Sequence, residues 1–283
     1  MTGISTEETP AARVGDLASP GGTGDGAAGG HPATVLLLAH GSPDPRHADR
    51  VGWLAHRLCA HIERPVGIAF LDHHGPTLEQ AVVTSAPGRA GRLGVAGASE
   101  RLRETVGVVP LLLSRGFHAR HDVPAEVEGA RSRTGRNVDL LPAPLLTHGA
   151  AWAGDLVREA AHQAGQNPSP KEGALLVTAG MRSPHVLAQW DTTAERLTKM
   201  TAWGRVEVAH ATGPGRRPTA VIQRMRSAGI RPAFALPLLI ADGVLGDRIA
   251  TEVAQLGVPL APVVGRSRAL RDRLSEIVRE QPA

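Results

Sequence analysis

Short apolar runs alternate with amphipathic segments along most of the chain, and this pattern predicts an α/β fold. The first run, residues 34–39, is continuously apolar, as is typical of a strand buried on both faces of a parallel sheet. Similar runs predict three further strands in the first half, at residues 66–71, 106–113 and 138–141. Helical periodicity fills the segments between and after them, at residues 45–61, 76–85, 123–131 and 149–164. Alternating strands and helices favour a parallel sheet with right-handed crossovers.

The second half repeats the first. Residues 174–180 echo 36–41, and residues 237–243 echo 110–116. We therefore predict two tandem similar domains, each a parallel sheet flanked by helices, with a cleft between them. The repeat includes a helix at 184–200 with a strand after it, and a terminal helix, but residues 210–236 receive no assignment.

Changes in composition along the chain indicate where the domains begin and end. Residues 1–31 are rich in Gly, Ala and Thr without apolar periodicity, which predicts a disordered tail. Residues 165–173 contain Asn, Ser, Lys and two prolines, which predicts a linker. The predicted domains are then 32–164 and 174–283.

Two histidines follow predicted strands of the first half. In open parallel sheets, ligands bind outside the carboxyl ends of the strands, where His40 and His118 stand. A lone histidine there more often satisfies a turn, but two at one sheet edge fit a metal site as well as they fit a structural role. In the repeat these positions hold Ala179 and Leu245, so only the first half carries the pair.

Other residues near these strand ends are weaker candidates. Gly41 allows a sharp turn after His40, and Ser42 is expected to cap the next helix. Asp72 follows the second strand and is a candidate acid/base group. A role for the adjacent His73 or His74 is disfavoured: both fit exposed loop residues, and neighbouring side chains on extended backbone point opposite ways.

Composition excludes several classes of protein. The net charge of +4 comes from scattered arginines, and aromatic residues make up 2%, so nucleic-acid binding is not expected. The single cysteine, Cys59, excludes a disulfide framework and a cysteine-rich zinc site. No apolar run approaches the ~20 residues of a membrane helix. We expect a cytoplasmic protein without a membrane partner.

The motifs around the histidines resemble those of the sirohydrochlorin chelatase family. They are an apolar strand followed by Ala-His-Gly-Ser at 39–42, Phe-Leu-acid at 70–72, and Pro-Leu-Leu-Leu-x-x-Gly-x-His-x-x-x-Asp-Val-Pro at 110–124. The resemblance implies a chelatase that inserts Fe²⁺ or Co²⁺ into sirohydrochlorin or a related tetrapyrrole. It assigns metal handling to His40 and His118, and Ni²⁺ is a further possible metal.

The substrate of such an enzyme carries many carboxylates, which arginines match. The residues expected to contact it are Ser42, Arg46, Ser114, Arg115, Gly116 and Arg120. No iron–sulfur cluster is expected, and a monomer is plausible because one chain holds both halves of the cleft. A non-catalytic metal or tetrapyrrole carrier is the alternative. A nucleotide-binding protein is disfavoured, because no phosphate-binding glycine loop follows the first strand.

Overall fold

The computed structural model describes residues 32–85, 104–114, 116 and 121–280. The predicted tail and the site candidates Arg115, His118 and Arg120 lie outside the described residues. Within them, no helix is long and apolar enough to cross a membrane.

The first half contains a four-stranded parallel sheet in the order β2-β1-β3-β4. The elements of this half are β1 (Thr34–Ala39), α1 (Pro45–Ile62), β2 (Val66–Phe70), α2 (Leu78–Thr84), β3 (Val106–Pro110), α3 (Asp122–Thr134), β4 (Val138–Leu140) and α4 (Ala150–Gln163).

The second half repeats this order around a three-stranded parallel sheet, β6-β5-β7. Its elements are β5 (Glu172–Gly180), α5 (Pro184–Met200), β6 (Arg205–Thr212), α6 (Pro218–Ser227), β7 (Arg231–Leu238), α7 (Val244–Gln255), a 3₁₀ turn (Val264–Arg266) and α8 (Arg268–Arg279). At the edge beyond β7, Leu260 forms a single parallel bridge with Ala235. The predicted α/β class with two similar parallel sheets is confirmed.

Two predicted features differ in the structure. Strand β3 ends at Pro110, although the apolar run continues, because Leu111, Leu112 and Leu113 line a cavity instead of extending the strand. Helix α6 was not predicted because two arginines, Arg224 and Arg226, interrupt its apolar pattern, although Val221, Ile222 and Met225 are buried.

Alternating side chains of each central strand pack into different cores. In β1, Val35 and Leu37 point toward the centre of the molecule, whereas Leu36 and Leu38 pack against α2 and α3 on the outside. In β5, Leu176 lies in the central core and Leu175 packs beneath α6 and α7. The central core therefore contains residues of both sheets.

The last helix of each half crosses to the other half. Helix α4 ends the first half but packs against α5 and β7, where Leu156 lies among Leu176, Leu236 and Trp190. Helix α8 ends the second half but packs against α1. This exchange holds the two sheets in one orientation.

The two exchanged helices also meet each other at a polar contact. The Glu159 carboxylate of α4 accepts hydrogen bonds from the backbone amides of Arg268 (2.8 Å) and Ala269 (2.9 Å), at the start of α8. The hydroxyl oxygen of Ser267 accepts from the Leu270 amide in the same turn. A carboxylate at a helix N-terminus satisfies unpaired amides and favours the helix dipole.

Replacing Glu159 by alanine should lower the free energy of unfolding by about 1 kcal/mol, the usual loss when a helix cap is removed. Urea denaturation measures this free energy of unfolding. Glu195→Ala is the control, because Glu195 is an exposed carboxylate of α5. Equal effects of the two substitutions would contradict the capping role.

Candidate functional site

A cavity of about 1220 Å³ lies between the two halves. Its walls come from the carboxyl ends of β1 and β3 on one side and of β5 and β7 on the other. Apolar lining residues such as Leu111, Leu112, Leu239 and Val244 form much of the surface. The cavity, called the cleft below, is therefore open to ligands at the edge where parallel sheets generally bind them.

His40 lies on the cleft wall directly after β1. Its carbonyl oxygen accepts a hydrogen bond from the Asp72 amide (2.8 Å), which ties the turn after β1 to the turn after β2. This close approach requires glycine next to His40. Gly41 has φ +97°, and a Cβ there would lie 1.8 Å from the carbonyl oxygen of Asp72. The glycine thus fixes where the His40 backbone enters the cleft.

The His40 ring has a defined local contact. Its Nδ1 lies 3.4 Å from the carbonyl oxygen of Gly41, a long hydrogen bond. A carbonyl oxygen only accepts, so this contact favours the proton on Nδ1 and leaves the lone pair on Nε2.

Ser42, Ser114 and Gly116 line the cleft together with His40. The prediction that Ser42 caps α1 is wrong. Asp44 is the capping residue, and its carboxylate accepts a hydrogen bond from the Arg46 amide (3.0 Å). The Ser42 hydroxyl instead accepts from the Asp44 amide (3.2 Å).

Arg46 lies at the rim and binds two carboxylates. Its guanidinium contacts Asp44 (2.6 Å) and, across the two halves, Asp247 (2.7 Å). The hydrogen bond from Arg46 is the largest cause of the lowered pKa of Asp44. Arg46 lines a neighbouring cavity of about 420 Å³ rather than the cleft. The Arg46 guanidinium is thus already paired with two carboxylates of the protein.

A second ion pair closes the same rim. Arg50 of α1 donates to Asp242 (3.1 Å), and Arg266 donates to the same oxygen (3.2 Å). Burial acts to raise the pKa of Asp242, but the hydrogen bonds from Arg266 and Arg50 outweigh it and leave that pKa lowered. The Asp242 carboxylate is therefore charged at neutral pH and holds α1 of the first half against the second half.

The Asp72 side chain is not among the groups that line the cleft. It is 65% exposed, accepts from the His73 amide (2.7 Å) and lies 3.5 Å from the His73 ring. Its backbone positions His40, but its carboxylate is not among the lining groups.

His47 was missed as a site residue, and a role for His74 was disfavoured. His47, on the first turns of α1, lines the cleft, and its ring lies parallel to that of His74. Burial lowers the pKa of His47, and the charges of His74 and His40 lower it further. His47 is therefore neutral at pH 7. The expectation that His74 is an exposed loop residue is wrong, because its ring is half-buried against Phe70.

The second half contributes arginines that sequence analysis also missed. Arg182 and Arg248 line the cleft, and neither forms an ion pair with another described residue. They stand beside Ala179 and Leu245, which replace the two histidines in the repeat. One wall of the cleft therefore carries imidazole and the opposite wall carries free positive charge.

No group of three or more His, Cys, Asp or Glu side chains is arranged to hold a metal ion, among the residues that the structure describes. A closed metal site is thus not present in this part of the chain.

Comparison with known proteins agrees with this architecture. A curated sirohydrochlorin ferrochelatase of Bacillus subtilis is 26% identical over 259 residues, which cover 88% of this chain and 92% of that protein. A structure of SirB from Bacillus subtilis with Fe³⁺ matches with a TM-score of 0.69 at 23% identity, covering 89% of this chain and 96% of that one.

A structure of the sirohydrochlorin chelatase SirB from Bacillus subtilis subspecies spizizenii in complex with cobalt matches with a TM-score of 0.64 at 21% identity. It covers 88% of this chain and 95% of that one. Both structures share the fold. The model of the CbiX family matches residues 34–164 and 173–281, which is most of the chain. The resemblance found in the sequence is therefore confirmed, and the chain belongs to the CbiX family.

Proposed function

We propose that this protein is a chelatase that inserts a divalent metal ion, Fe²⁺ or Co²⁺, into sirohydrochlorin. The observation that carries the proposal is the position of His40, at a strand end on the wall of a cleft of about 1220 Å³, in a chain of the CbiX family. Curated relatives named as sirohydrochlorin ferrochelatases support the substrate.

Insertion needs a group that handles the metal and a group that takes protons. The ion sheds water as it enters the macrocycle, and two pyrrolic protons leave. Neutral imidazole serves as a borderline metal ligand or as a base near pH 7. His40 offers Nε2 for either role. His118 is proposed as its partner, on the sequence motif alone.

The cleft suits a large anionic macrocycle. Its volume exceeds the roughly 300–1,000 Å³ of ordinary small-molecule pockets, and its leucine walls offer apolar surface to a flat ring. Arg182 and Arg248 are placed to pair with peripheral carboxylates, since guanidinium matches carboxylate geometry. We propose them in place of Arg46, whose guanidinium already binds Asp44 and Asp247.

The remaining site residues keep the roles that the family motif implies. Arg115 and Arg120 are proposed to contact the substrate, with Ser42, Ser114 and Gly116 on the cleft wall. An acid/base role for Asp72 is not supported by its exposed position.

The proposal also covers the metal that is inserted and the oligomeric state of the protein. Imidazole ligands hardly distinguish iron, cobalt and nickel, so Ni²⁺ is a further metal that the site would accept. One cysteine cannot hold an iron–sulfur cluster of the four-cysteine kind. A monomer is proposed because one chain supplies both walls of the cleft.

Replacing His40 by alanine should lower the insertion rate about a hundredfold or more, the scale of a lost acid/base group. His118→Ala should lower the insertion rate by a similar factor. The rate is followed by the absorption change of sirohydrochlorin, with His162→Ala, an exposed histidine of α4, as the control. Unchanged rates in both His40→Ala and His118→Ala would reject the site.

Insertion should slow as the pH falls below neutrality, because a protonated imidazole has no lone pair for metal or proton. Raising the metal concentration should partly restore the rate. His47 is not the source of this loss, since its pKa is lowered and it protonates only at more acidic pH. Initial rates at two metal concentrations, with circular dichroism at each pH, test this; a flat profile from pH ~5 to ~8 with an intact fold would contradict it.

Arg182→Gln and Arg248→Gln should each raise the KM for sirohydrochlorin about two- to fivefold, the scale of an exposed charge pair. The KM for metal should not change. Arg158→Gln is the matched control because Arg158 is an exposed arginine of α4 that pairs with Asp155. A KM for sirohydrochlorin equal to that of the control variant would remove both arginines from the substrate site.

A further inference from the structure

His47 and His74 form a pair of imidazoles beside the cleft. His47 comes from α1 and His74 from the turn after β2, and their ring centres lie 6.4 Å apart with planes only 15° from parallel. Phe70 packs edge-on against His74, at 5.3 Å between ring centres, and lies 6.1 Å from His47. The two histidine rings are therefore neighbours, at a separation within the range of aromatic pairs.

Each ring also has a buried nitrogen without a hydrogen-bond partner. These atoms are Nδ1 of His47 and Nε2 of His74. A buried polar atom left unpaired costs free energy, and such atoms in native proteins usually contact an ion or water. Two of them on neighbouring rings indicate a common ligand. Phenylalanine or leucine would fill the same space without that cost.

We propose that His47 and His74 together bind the divalent metal ion before it passes to His40. The inference rests on the proposed function. It adds a loading site, which is the pair His47 and His74 where the ion first binds. The ion would take the lone pairs of Nδ1 of His47 and Nε2 of His74, with each proton on the other ring nitrogen. Imidazole suits Fe²⁺, Co²⁺ and Ni²⁺ alike.

The ring spacing fits this arrangement. Metal–imidazole nitrogen distances are about 2.1 Å, so two rings on opposite sides of an ion have centres roughly 6 Å apart. The observed separation of the ring centres, 6.4 Å, is close to this value.

Two protein ligands hold a metal ion weakly, which a loading site requires. No third His, Cys, Asp or Glu side chain completes a metal-binding group in the described ranges, and water would take the remaining positions around the ion. His47 lines the same cleft as His40. A ligand exchange can therefore carry the ion from the pair to the cleft wall.

The test measures Co²⁺ binding by titration calorimetry without any tetrapyrrole. The starting protein is full-length His40→Ala/His118→Ala, which lacks the histidines proposed for insertion. His47→Phe and His74→Phe are added to it singly and together, since phenylalanine preserves the ring and packs well against Phe70. His56→Phe, on the exposed side of α1, is the matched control. Thermal melting checks the fold of each protein.

The starting protein and the His56→Phe control should bind one Co²⁺ with the same affinity. Each single phenylalanine substitution should weaken binding at least about tenfold, and the double substitution should weaken it by less than the product of the two single effects, because both rings share one ion. Co²⁺ affinity that does not depend on His47 and His74, or no binding by the starting protein, would overturn the loading site.

Insertion by protein with intact His40 and His118 separates this inference from the proposed function. In that protein, His74→Phe should raise the KM for metal and leave the KM for sirohydrochlorin unchanged, because His74 is not among the residues that line the cleft. If Co²⁺ binds through the pair but the wild-type protein never inserts metal, the proposed function fails and the site stands. If insertion proceeds with an unchanged KM for metal, only the loading site fails.

Discussion

The exchange of helices α4 and α8 is the constraint on which the site depends. Each helix packs against the half to which it does not belong in sequence, and Glu159 joins them at the start of α8. The central core is consequently shared, and the carboxyl ends of both sheets face one cleft. The Arg50–Asp242 and Arg46–Asp247 pairs close the rim from the same helix, α1.

The two halves keep the same backbone but not the same chemistry. Gly180 repeats Gly41, with φ +121° and a hypothetical Cβ 2.2 Å from the carbonyl oxygen of Thr212. The tight turn is thus present after both central strands. The residue before the glycine is His40 in one half and Ala179 in the other. The duplicated scaffold supplies two walls, of which one carries His40 and the other carries Arg182 and Arg248.

The sequence predicts the architecture well because buried parallel strands have an unbroken apolar pattern, as in β1 and β5. The position of His40 follows from the same pattern, since ligands gather at strand ends. The bounds of the two domains remain a prediction. Helix α6 was missed because its arginines dilute the apolar positions that face the core.

Contacts between distant segments could not be predicted in this way. Arg46 looked available for substrate, but its partner Asp247 lies 201 residues away along the chain. His47 and His74 come from different elements, and only the fold shows that their rings are neighbours. Asp72 follows a strand as expected, yet the turn directs its carboxylate toward His73 and solvent.

The most direct test of the account offers Fe²⁺, Co²⁺ and Ni²⁺ separately to the purified protein with sirohydrochlorin and records the absorption spectrum over time. The account predicts that the protein accelerates the spectral change to the metallated product with Fe²⁺ or Co²⁺, with many turnovers per protein molecule. Binding of sirohydrochlorin without any acceleration above the protein-free reaction would show a carrier instead and would contradict the central claim.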